Sequence, residues 1–330
     1  MSLSSILSSA VSGLTASQAG LNAVSNNISN VNTPGYARQR VSLTTGVSGR
    51  SVSGVIVGQP ERVADQSREA TVFRRAGAAG KSDAASLYLD RIQSLLGAPG
   101  DTSALPGRLD AVASAAIAMT ASSADDTYAA SFTTSVEDAL GALRQLSDDS
   151  AMIRNDVESE MSSAVEQVNA LLRQIGDLNE AVVNNGGRGS SASGAADQRV
   201  VVVQQLAQLA DIVVRQQPNG ALNIDTMGGI ALVDQSVRQI SYPDMRVLFS
   251  DSNGQPAAAT GQTLALDVVG GKLGALAEVR DRALPAFLDQ LDTVGSTLAF
   301  QLNAASNALT RAPAPAILEG RPNGLTPSDR

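Results

Sequence analysis

An apolar repeat in the first 31 residues constrains how this chain folds more than any other feature. Apolar or small residues recur there at alternating intervals of four and three positions: Leu3, Leu7, Ala10, Leu14, Ser17, Leu21, Val24, Ile28 and Val31. A repeat of about 3.5 residues keeps its stripe buried only against another helix that supercoils with it. We therefore predict an amphipathic N-terminal helix whose stripe contacts other subunits. The predicted interface residues are Leu3, Leu7, Leu14, Leu21, Val24, Ile28 and Val31.

A helix that packs within an intramolecular bundle would account for the same apolar pattern. The glycines at positions 46, 49, 54 and 58 favour the first interpretation, because they indicate a linker that detaches the helix from the remainder of the chain.

The next segment, Ser25 to Tyr36, ends this helix with four asparagines and a Pro-Gly pair. Pro34 disfavours helical dihedrals at Thr33, and Gly35 accepts those of a turn. Any single asparagine here is explained equally well as a helix cap or a loop residue, because asparagine side chains bond readily to nearby backbone groups.

The run from Ser25 to Tyr36, followed by Arg38-Gln39-Arg40-Val41, resembles the asparagine-rich signature of bacterial flagellar axial proteins, which include rod, hook and hook-filament junction proteins. The residues of this motif are Asn26, Asn27, Asn30, Asn32, Thr33, Pro34, Gly35, Tyr36, Arg38 and Gln39. Asp197-Gln198-Arg199, Gly270-Gly271-Lys272-Leu273-Gly274 and Arg280-Asp281 are most similar to the first hook-filament junction proteins. The resemblance spans nearly the whole chain and is densest at 1–42 and 197–305.

The resemblance implies a structural subunit at the junction between flagellar hook and filament, self-assembling through its N-terminal helix. The implied partners are the hook protein, the second junction protein, copies of the same chain, and the flagellar export apparatus with its chaperone. It also implies secretion by the flagellar type III route to the extracellular flagellum. The asparagine-rich region would turn the chain from an inner tube towards an outer layer, with Tyr36 and Arg38 as interface anchors.

Composition excludes most other classes of function. The 330 residues include no cysteine and no histidine, so disulfides, thiolate metal sites and histidine-based catalysis are absent. No Gly-x-Ser-x-Gly elbow is present, and the segment 186–194 lacks the Gly-Lys-Ser/Thr ending of a phosphate loop. A net charge of -8 disfavours nucleic acid and anionic membranes. We expect no enzyme activity, cofactor, metal or small-molecule substrate.

Periodicity predicts a mainly α fold: an elongated helical bundle or coiled coil with a small antiparallel β module inserted and an N-terminal amphipathic helix. Helices are expected near 61–96, 105–119, 128–183 and 273–309, the last kinked at Pro285, and Asp197 is expected to cap a helix ending at Leu209. The expected segments are 1–40 for the axial helix and turn, 41–60 for an extended linker or small hairpin, 61–310 for a rod-like domain with β structure at about 211–270, and 311–330 for an irregular tail.

The tail contains four prolines and no helical pattern, whereas the resembled junction proteins continue into outer domains and return with a C-terminal helix that pairs with the N-terminal one. We expect the tail to mark a boundary to a missing domain. Two other functions fit the residues: a flagellar rod or hook subunit, and a secreted coiled-coil binding or adhesin module. Association with host surfaces would indicate the adhesin module, whereas association with purified hooks would indicate a flagellar subunit.

Overall fold

The computed structural model describes residues 3–48, 51–121, 126–185, 190–250, 256–263 and 269–309. The fold is mainly α, as the periodicity predicts. The helices are α1 (Leu3–Ser29), α2 (Gln66–Leu95), α3 (Leu105–Ala121), α4 (Asp126–Asn185), α5 (Ser190–Leu209), α6 (Gly271–Glu278) and α7 (Leu284–Leu309), with a π-helical turn at Val279–Ala283 between the last two.

The strands form three small antiparallel sheets in the described parts of the chain. The first is a hairpin of β1 (Gln39–Ser48) and β2 (Ser51–Arg62). The second has the order β3 (Ile212–Gln216), β4 (Leu222–Thr226), β5 (Ala231–Val233). The third has the order β6 (Gln239–Ser241), β7 (Arg246–Ser250), β8 (Pro256–Thr263).

Several local expectations need correction. Residues 41–48 and 51–60 lie in the β1–β2 hairpin, so of the two expected structures the small hairpin is present and the extended linker is not. Glu61, expected to begin a helix, still belongs to β2. Asp197 is not a helix cap, because α5 begins seven residues earlier, at Ser190. A π-helical turn at Val279–Ala283 divides the helix expected at 273–309, just before the kink expected at Pro285. Parts of the β structure expected at about 211–270, namely 251–255 and 264–268, and the tail 311–330 lie outside the described residues.

The chain divides into two compact units. The first comprises residues 1–93 and 152–283, and the second comprises 94–151 and 284–330. The core of the first unit joins α2, α4 and α5 to the small sheets. Its fully buried side chains include Leu172, Ile175, Leu206, Ile224, Leu232 and Leu273.

Helices α2 and α5 approach each other closely because glycine replaces larger residues on α2. A Cβ on Gly80 would lie 2.1 Å from the carbonyl oxygen of Gln208, and a Cβ on Gly77 would lie 3.0 Å from that of Ala207. The sequence Gly77-x-x-Gly80 therefore sets the distance between these two helices.

A second close approach fixes the start of α6. Gly270 and Gly271 both have a φ of 56°, a region that disfavours residues with a Cβ. Asp211 donates its backbone N–H to the carbonyl of Val269 at 2.7 Å, and its carboxylate accepts a hydrogen bond from the N–H of Gly271. Burial raises the pKa of Asp211 above its usual value, although Lys81 and the Gly271 N–H act in the opposite direction.

Polar contacts also tie α2, α4 and α6 together. The buried Tyr88 donates its hydroxyl to Glu160, whose other carboxylate oxygen lies 2.7 Å from the ammonium of Lys272. Burial acts to raise the pKa of Glu160, but the hydrogen bonds from Lys272 and Tyr88 hold it below its usual value. This carboxylate is therefore a charged link between three helices.

The second unit contains α3, α7 and the first part of α4. Its buried apolar side chains include Leu105, Val112, Ala139, Leu146, Phe287 and Leu291. Arg108 of α3 pairs with Asp138 of α4 at 3.2 Å, and Gly295 of α7 faces Leu143 of α4.

Candidate assembly surface

Helix α1 presents its leucine stripe to solvent. The seven predicted interface residues, Leu3, Leu7, Leu14, Leu21, Val24, Ile28 and Val31, are between 53% and 84% exposed. Ile6 and Val11 add to the same apolar surface at 54% and 55%. Contiguous apolar surface of this kind is typical of an interaction site in a soluble protein. The stripe is thus not buried in an intramolecular bundle of the described residues.

The opposite face of α1 consists of small residues and packs against the hairpin. Ala16 and Ala23 are buried, and a Cβ on Gly54 of β2 would lie 3.2 Å from the Cβ of Ser12. The hydroxyl of Ser12 accepts a hydrogen bond from the N–H of Val55 at 3.1 Å. Gly54 therefore permits close packing of the hairpin against α1, and the sequence-based expectation of a detaching linker is wrong.

Asn27 attaches the end of α1 to the start of β1. Its Nδ2 donates to the carbonyl of Gln39 at 2.9 Å, and its Oδ1 accepts from the N–H of Gln39 at 2.8 Å. The hydroxyl of Tyr36 donates to the same Oδ1 at 2.8 Å. One carboxamide thus satisfies both backbone groups of Gln39, which is itself buried.

The rest of the asparagine-rich turn rests on α5. Gly35 has a φ of 77°, and a Cβ there would lie 2.7 Å from the carbonyl oxygen of Asp197. Asn30 stabilises the turn from within, since its Nδ2 donates to the carbonyl of Asn26 and its Oδ1 accepts from the hydroxyl of Thr33. Glycine is required at position 35 because the turn touches the helix backbone directly.

Asp197 of α5 binds the segment that follows the turn. Its Oδ1 accepts from the N–H of Ala37 at 3.1 Å and from Nε of Arg62 at 2.6 Å. Arg62 also pairs with Glu69 at 2.8 Å. Burial, followed by the charge of Asp197, raises the pKa of Tyr36. The two motifs singled out in the sequence, the asparagine-rich run and Asp197-Gln198-Arg199, therefore meet in space.

The motif residues divide into two groups by exposure. Asn27, Gly35, Tyr36 and Gln39 make the internal contacts just described, together with Asn30. Asn26, Asn32, Thr33, Pro34 and Arg38 are exposed. The exposed group lies on the surface of the first unit, whereas the internal group fixes the path of the backbone.

The same carboxamide pairing recurs twice on α4, and the sequence reasoning missed both sites. Asn169 donates to and accepts from the backbone of Ile240, with both distances 2.8 Å. Asn179 pairs in the same way with Leu222, at 2.8 and 2.9 Å, and also accepts from Arg199 at 2.7 Å. A polar residue within an otherwise apolar helical face is the signal that points to Asn179.

Replacing Asn27 with alanine is expected to loosen the start of β1. The N–H of Gln39 loses its acceptor, so its hydrogen exchange should accelerate about tenfold, the effect of losing roughly 1.4 kcal/mol of local stability. Amide exchange followed by NMR measures this rate. Asn26→Ala is the matched control: its side chain is exposed, and a change of no more than about twofold is expected. Equal rates in the two variants would contradict the role of Asn27.

Among the described residues, no three carboxylates come together in a group able to hold a metal ion, and none of the described helices has the length and apolar character needed to cross a membrane.

Comparison with known proteins identifies the family. Residues 89–309, more than half of the chain, match the family described as the flagellar hook-associated protein FlgK helical domain. The chain belongs to this FlgK helical-domain family. Residues 7–36, which contain most of α1 and the whole asparagine-rich turn, match the flagella basal body rod protein family.

Curated relatives of the family are similar over most of this chain. Flagellar hook-associated protein 1 of Salmonella typhimurium is 29% identical over 249 residues, which cover 72% of this chain and 44% of the relative. The proteins of the same name from Escherichia coli and Bacillus subtilis are 29% and 24% identical, and the matches cover 72% and 69% of this chain. This chain spans less than half the length of these relatives.

A solved structure supports the fold. The flagellar hook junction protein FlgK from Burkholderia pseudomallei superposes with a TM-score of 0.52 at 23% sequence identity. The superposition covers 63% of this chain and 38% of that structure.

Proposed function

We propose that this chain is a structural, non-catalytic subunit of the bacterial flagellum at the hook-filament junction, and that it assembles through the leucine stripe of α1. The observation that carries the proposal is the exposure of that stripe, with its seven predicted residues at least 53% exposed. Membership of the FlgK helical-domain family and the names of the curated relatives supply the setting.

The architecture of α1 supports an assembly role. Its small face and Asn27 fix it on the hairpin, so the apolar stripe faces away from the packed side. The helix carries no charged residue from Leu3 to Ser29. A surface of that kind pairs with a second apolar helix and offers little to an anionic lipid or nucleic acid.

The proposed partners follow the same reasoning. Copies of this chain supply equivalent stripes, and the hook protein and the second junction protein are the neighbours that a junction position implies. A position at the junction also implies that the chain is exported by the flagellar type III route with a chaperone. It would then reside in the extracellular flagellum. Each subunit in such an array uses modest contacts, and repetition gives the assembly its strength.

The test compares two pairs of substitutions on α1 in the full chain. Leu14→Ser with Leu21→Ser removes apolar area from the middle of the stripe. Gln18→Ser with Asn22→Ser changes exposed polar positions of the same helix. Self-association is measured by analytical ultracentrifugation, and binding to purified hooks by co-sedimentation.

We expect the leucine pair to weaken both associations at least about tenfold, since each leucine removes roughly 1.5–3 kcal/mol of burial on assembly. The polar pair should behave as wild type. If the leucine pair still assembles and binds hooks normally, the stripe is not the assembly surface. Binding to host surfaces in place of hooks would favour the adhesin module.

A further inference from the structure

Helix α1, the asparagine-rich turn and the β1–β2 hairpin form an arm that is held together by its own contacts. Ser12 of α1 accepts a hydrogen bond from Val55 of β2, and Asn27 joins the end of α1 to Gln39 of β1. None of the described residues of this arm belongs to the apolar core cluster of the first unit, which begins at Phe73. The arm is therefore a folded piece that lies outside the apolar core.

A short joint connects the arm to α2. The three residues between β2 and α2 are all exposed. Val63 still donates its N–H to the carbonyl of Arg38 in the arm, at 2.8 Å. Asp65 already caps α2, since its Oδ1 accepts from the N–H of Ser67 at 3.0 Å. Ala64 lies between these two anchored residues, so rotation of its backbone would change the direction of the arm.

Polar contacts of the arm converge on Asp197 of α5. Its Oδ1 accepts from the N–H of Ala37 at 3.1 Å and from Nε of Arg62 at 2.6 Å. Arg62 also pairs with Glu69 of α2 at 2.8 Å, so one arginine ties the arm to both α2 and α5. The side chains of Arg62 and Asp197 are 17% and 11% exposed, so salt screens this ion pair weakly.

Open space separates the asparagine-rich turn from α4 and α5 beside this contact. The cleft has a volume of 710 Å³, and its lining by described residues is neutral apart from Asp197. Carboxamides hydrogen-bond to water and to one another with similar net energies, so this lining favours neither an open nor a closed cleft strongly. The arm supplies Asn26, Asn30 and Gln39 to the lining, and the facing helices supply Gln174, Gln198 and Gln205.

We propose that Asp197 and Arg62 form a latch that fixes the orientation of the arm, and that release of this latch lets the arm rotate about Ala64 within the cleft. The direction in which the arm presents its leucine stripe then depends on this ion pair and not on the apolar core. This motion is a property of the single chain, so it goes beyond the assembly role proposed for the stripe.

The surroundings of Glu69 make release of the latch affordable. Burial lowers the pKa of Arg199, and the nearby charges of Arg62 and Glu69 act on it in opposite directions. Arg199 therefore lies close to both groups. When Arg62 moves away with the arm, Glu69 still has a second cation nearby, and Arg199 no longer experiences the repulsion of Arg62.

Distances between spin labels measure the orientation of the arm, and the chain suits this method because it contains no cysteine. Gln18→Cys on α1 and Gln204→Cys on α5 are exposed positions that report the distance from the arm to α5. Two further pairs test the fold itself: Gln18→Cys with Thr45→Cys within the arm, and Gln167→Cys with Gln204→Cys outside it. The full chain is measured by pulsed electron paramagnetic resonance at a concentration where ultracentrifugation shows a monomer.

Two variants release the latch from its opposite sides. Asp197→Ala removes the acceptor on α5, and Arg62→Met removes the cation of the arm while Asp197 can still accept from Ala37. Asp177→Ala is the matched control, because this carboxylate is exposed on α4 and lies outside the lining of the cleft.

We expect the arm-to-α5 distances to form one narrow distribution in the wild type and in the control variant. Both latch variants should add a second maximum at a different distance and leave the two fold-testing pairs unchanged. In Arg62→Met, hydrogen exchange at the N–H of Ala37 should also accelerate about tenfold although its acceptor is retained, because exchange then reports movement of the arm.

Three outcomes overturn the inference. The first is an unchanged arm-to-α5 distribution in both latch variants. The second is a wild-type distribution as broad as theirs, which would mean that no latch fixes the arm. The third is an equal change in the pair within the arm, which would show that the arm unfolds and does not rotate as one piece.

Discussion

Gly271→Ala is expected to lower the free energy of unfolding of the first unit by about 3 kcal/mol, which combines left-handed backbone strain with overpacking. Gly271 has a φ of 56°, where an added Cβ is strained. That Cβ would also lie 2.7 Å from the backbone nitrogen of Ala210 and 2.8 Å from the carbonyl oxygen of Leu209. These are backbone atoms at the end of α5, so no side-chain rotation can relieve the contact.

Gly274→Ala is the matched control three residues along α6. A Cβ there meets its nearest atom, the carbonyl carbon of Val269, at 3.9 Å, which is ordinary contact. This substitution should stabilise the chain by roughly 0.5–1 kcal/mol through helix propensity. Urea unfolding followed by circular dichroism gives both values. Similar midpoints for the two variants would show that the start of α6 is free to adjust.

Periodic features of the fold were predictable because they repeat. Helix α4 is predicted by apolar residues that recur at alternating intervals of four and three positions from Val157 to Val182. The strands between 212 and 250 are predicted by short apolar runs separated by turn residues. The stripe predicted from the 3.5-residue repeat is exposed on α1, and its role as a contact surface stays a prediction. Its binding partners remain a prediction.

Features that depend on contacts between distant segments were not predictable. Gly54 and Gly58 belong to the glycines that indicate a linker by composition, yet both allow close packing, because Gly54 meets Ser12 of α1 and Gly58 meets Ser42 of β1. A glycine that permits flexibility and a glycine that permits close packing look the same in one sequence. The small face of α1, with Ala16, Gly20 and Ala23 at helical spacing, was the available signal for that packing.

Asp197 illustrates a second limit. An aspartate after a Gly/Ser-rich stretch predicts the N-cap of a helix. Helix α5 instead begins at Ser190, so Asp197 lies within the helix. Its role is set by Ala37 and Arg62, which are more than 130 residues away in the sequence. Local patterns carry no information on such partners, so the function of the Asp197-Gln198-Arg199 motif emerged only from the structure.

Asn179 is the second position where a large effect is expected. It is 6% exposed, it satisfies both backbone groups of Leu222, and it accepts from Arg199, which is 4% exposed. Burial, together with the nearby charge of Arg62, lowers the pKa of Arg199 to about 10, so the fold already tolerates this cation poorly. Asn179→Ala should cost about 3–5 kcal/mol, because it leaves a buried charge and two backbone groups without their partner.

A double-mutant cycle separates the two parts of that cost. Arg199→Met removes the cation while Asn179 still holds Leu222, so it should cost much less than Asn179→Ala. The double variant should be more stable than the sum of the single effects by about 1–3 kcal/mol, since no charge is then left unpaired.

Asn169→Ala is the control. The Asn169 carboxamide pairs with Ile240 in the same way but accepts no hydrogen bond from an arginine, and a cost of about 1–2 kcal/mol is expected. Urea midpoints measure all four variants. Additive effects at Asn179 and Arg199 would mean that the carboxamide stabilises only the strand residue Leu222. Coupling would mean that it also stabilises the buried guanidinium of Arg199 by accepting its hydrogen bond.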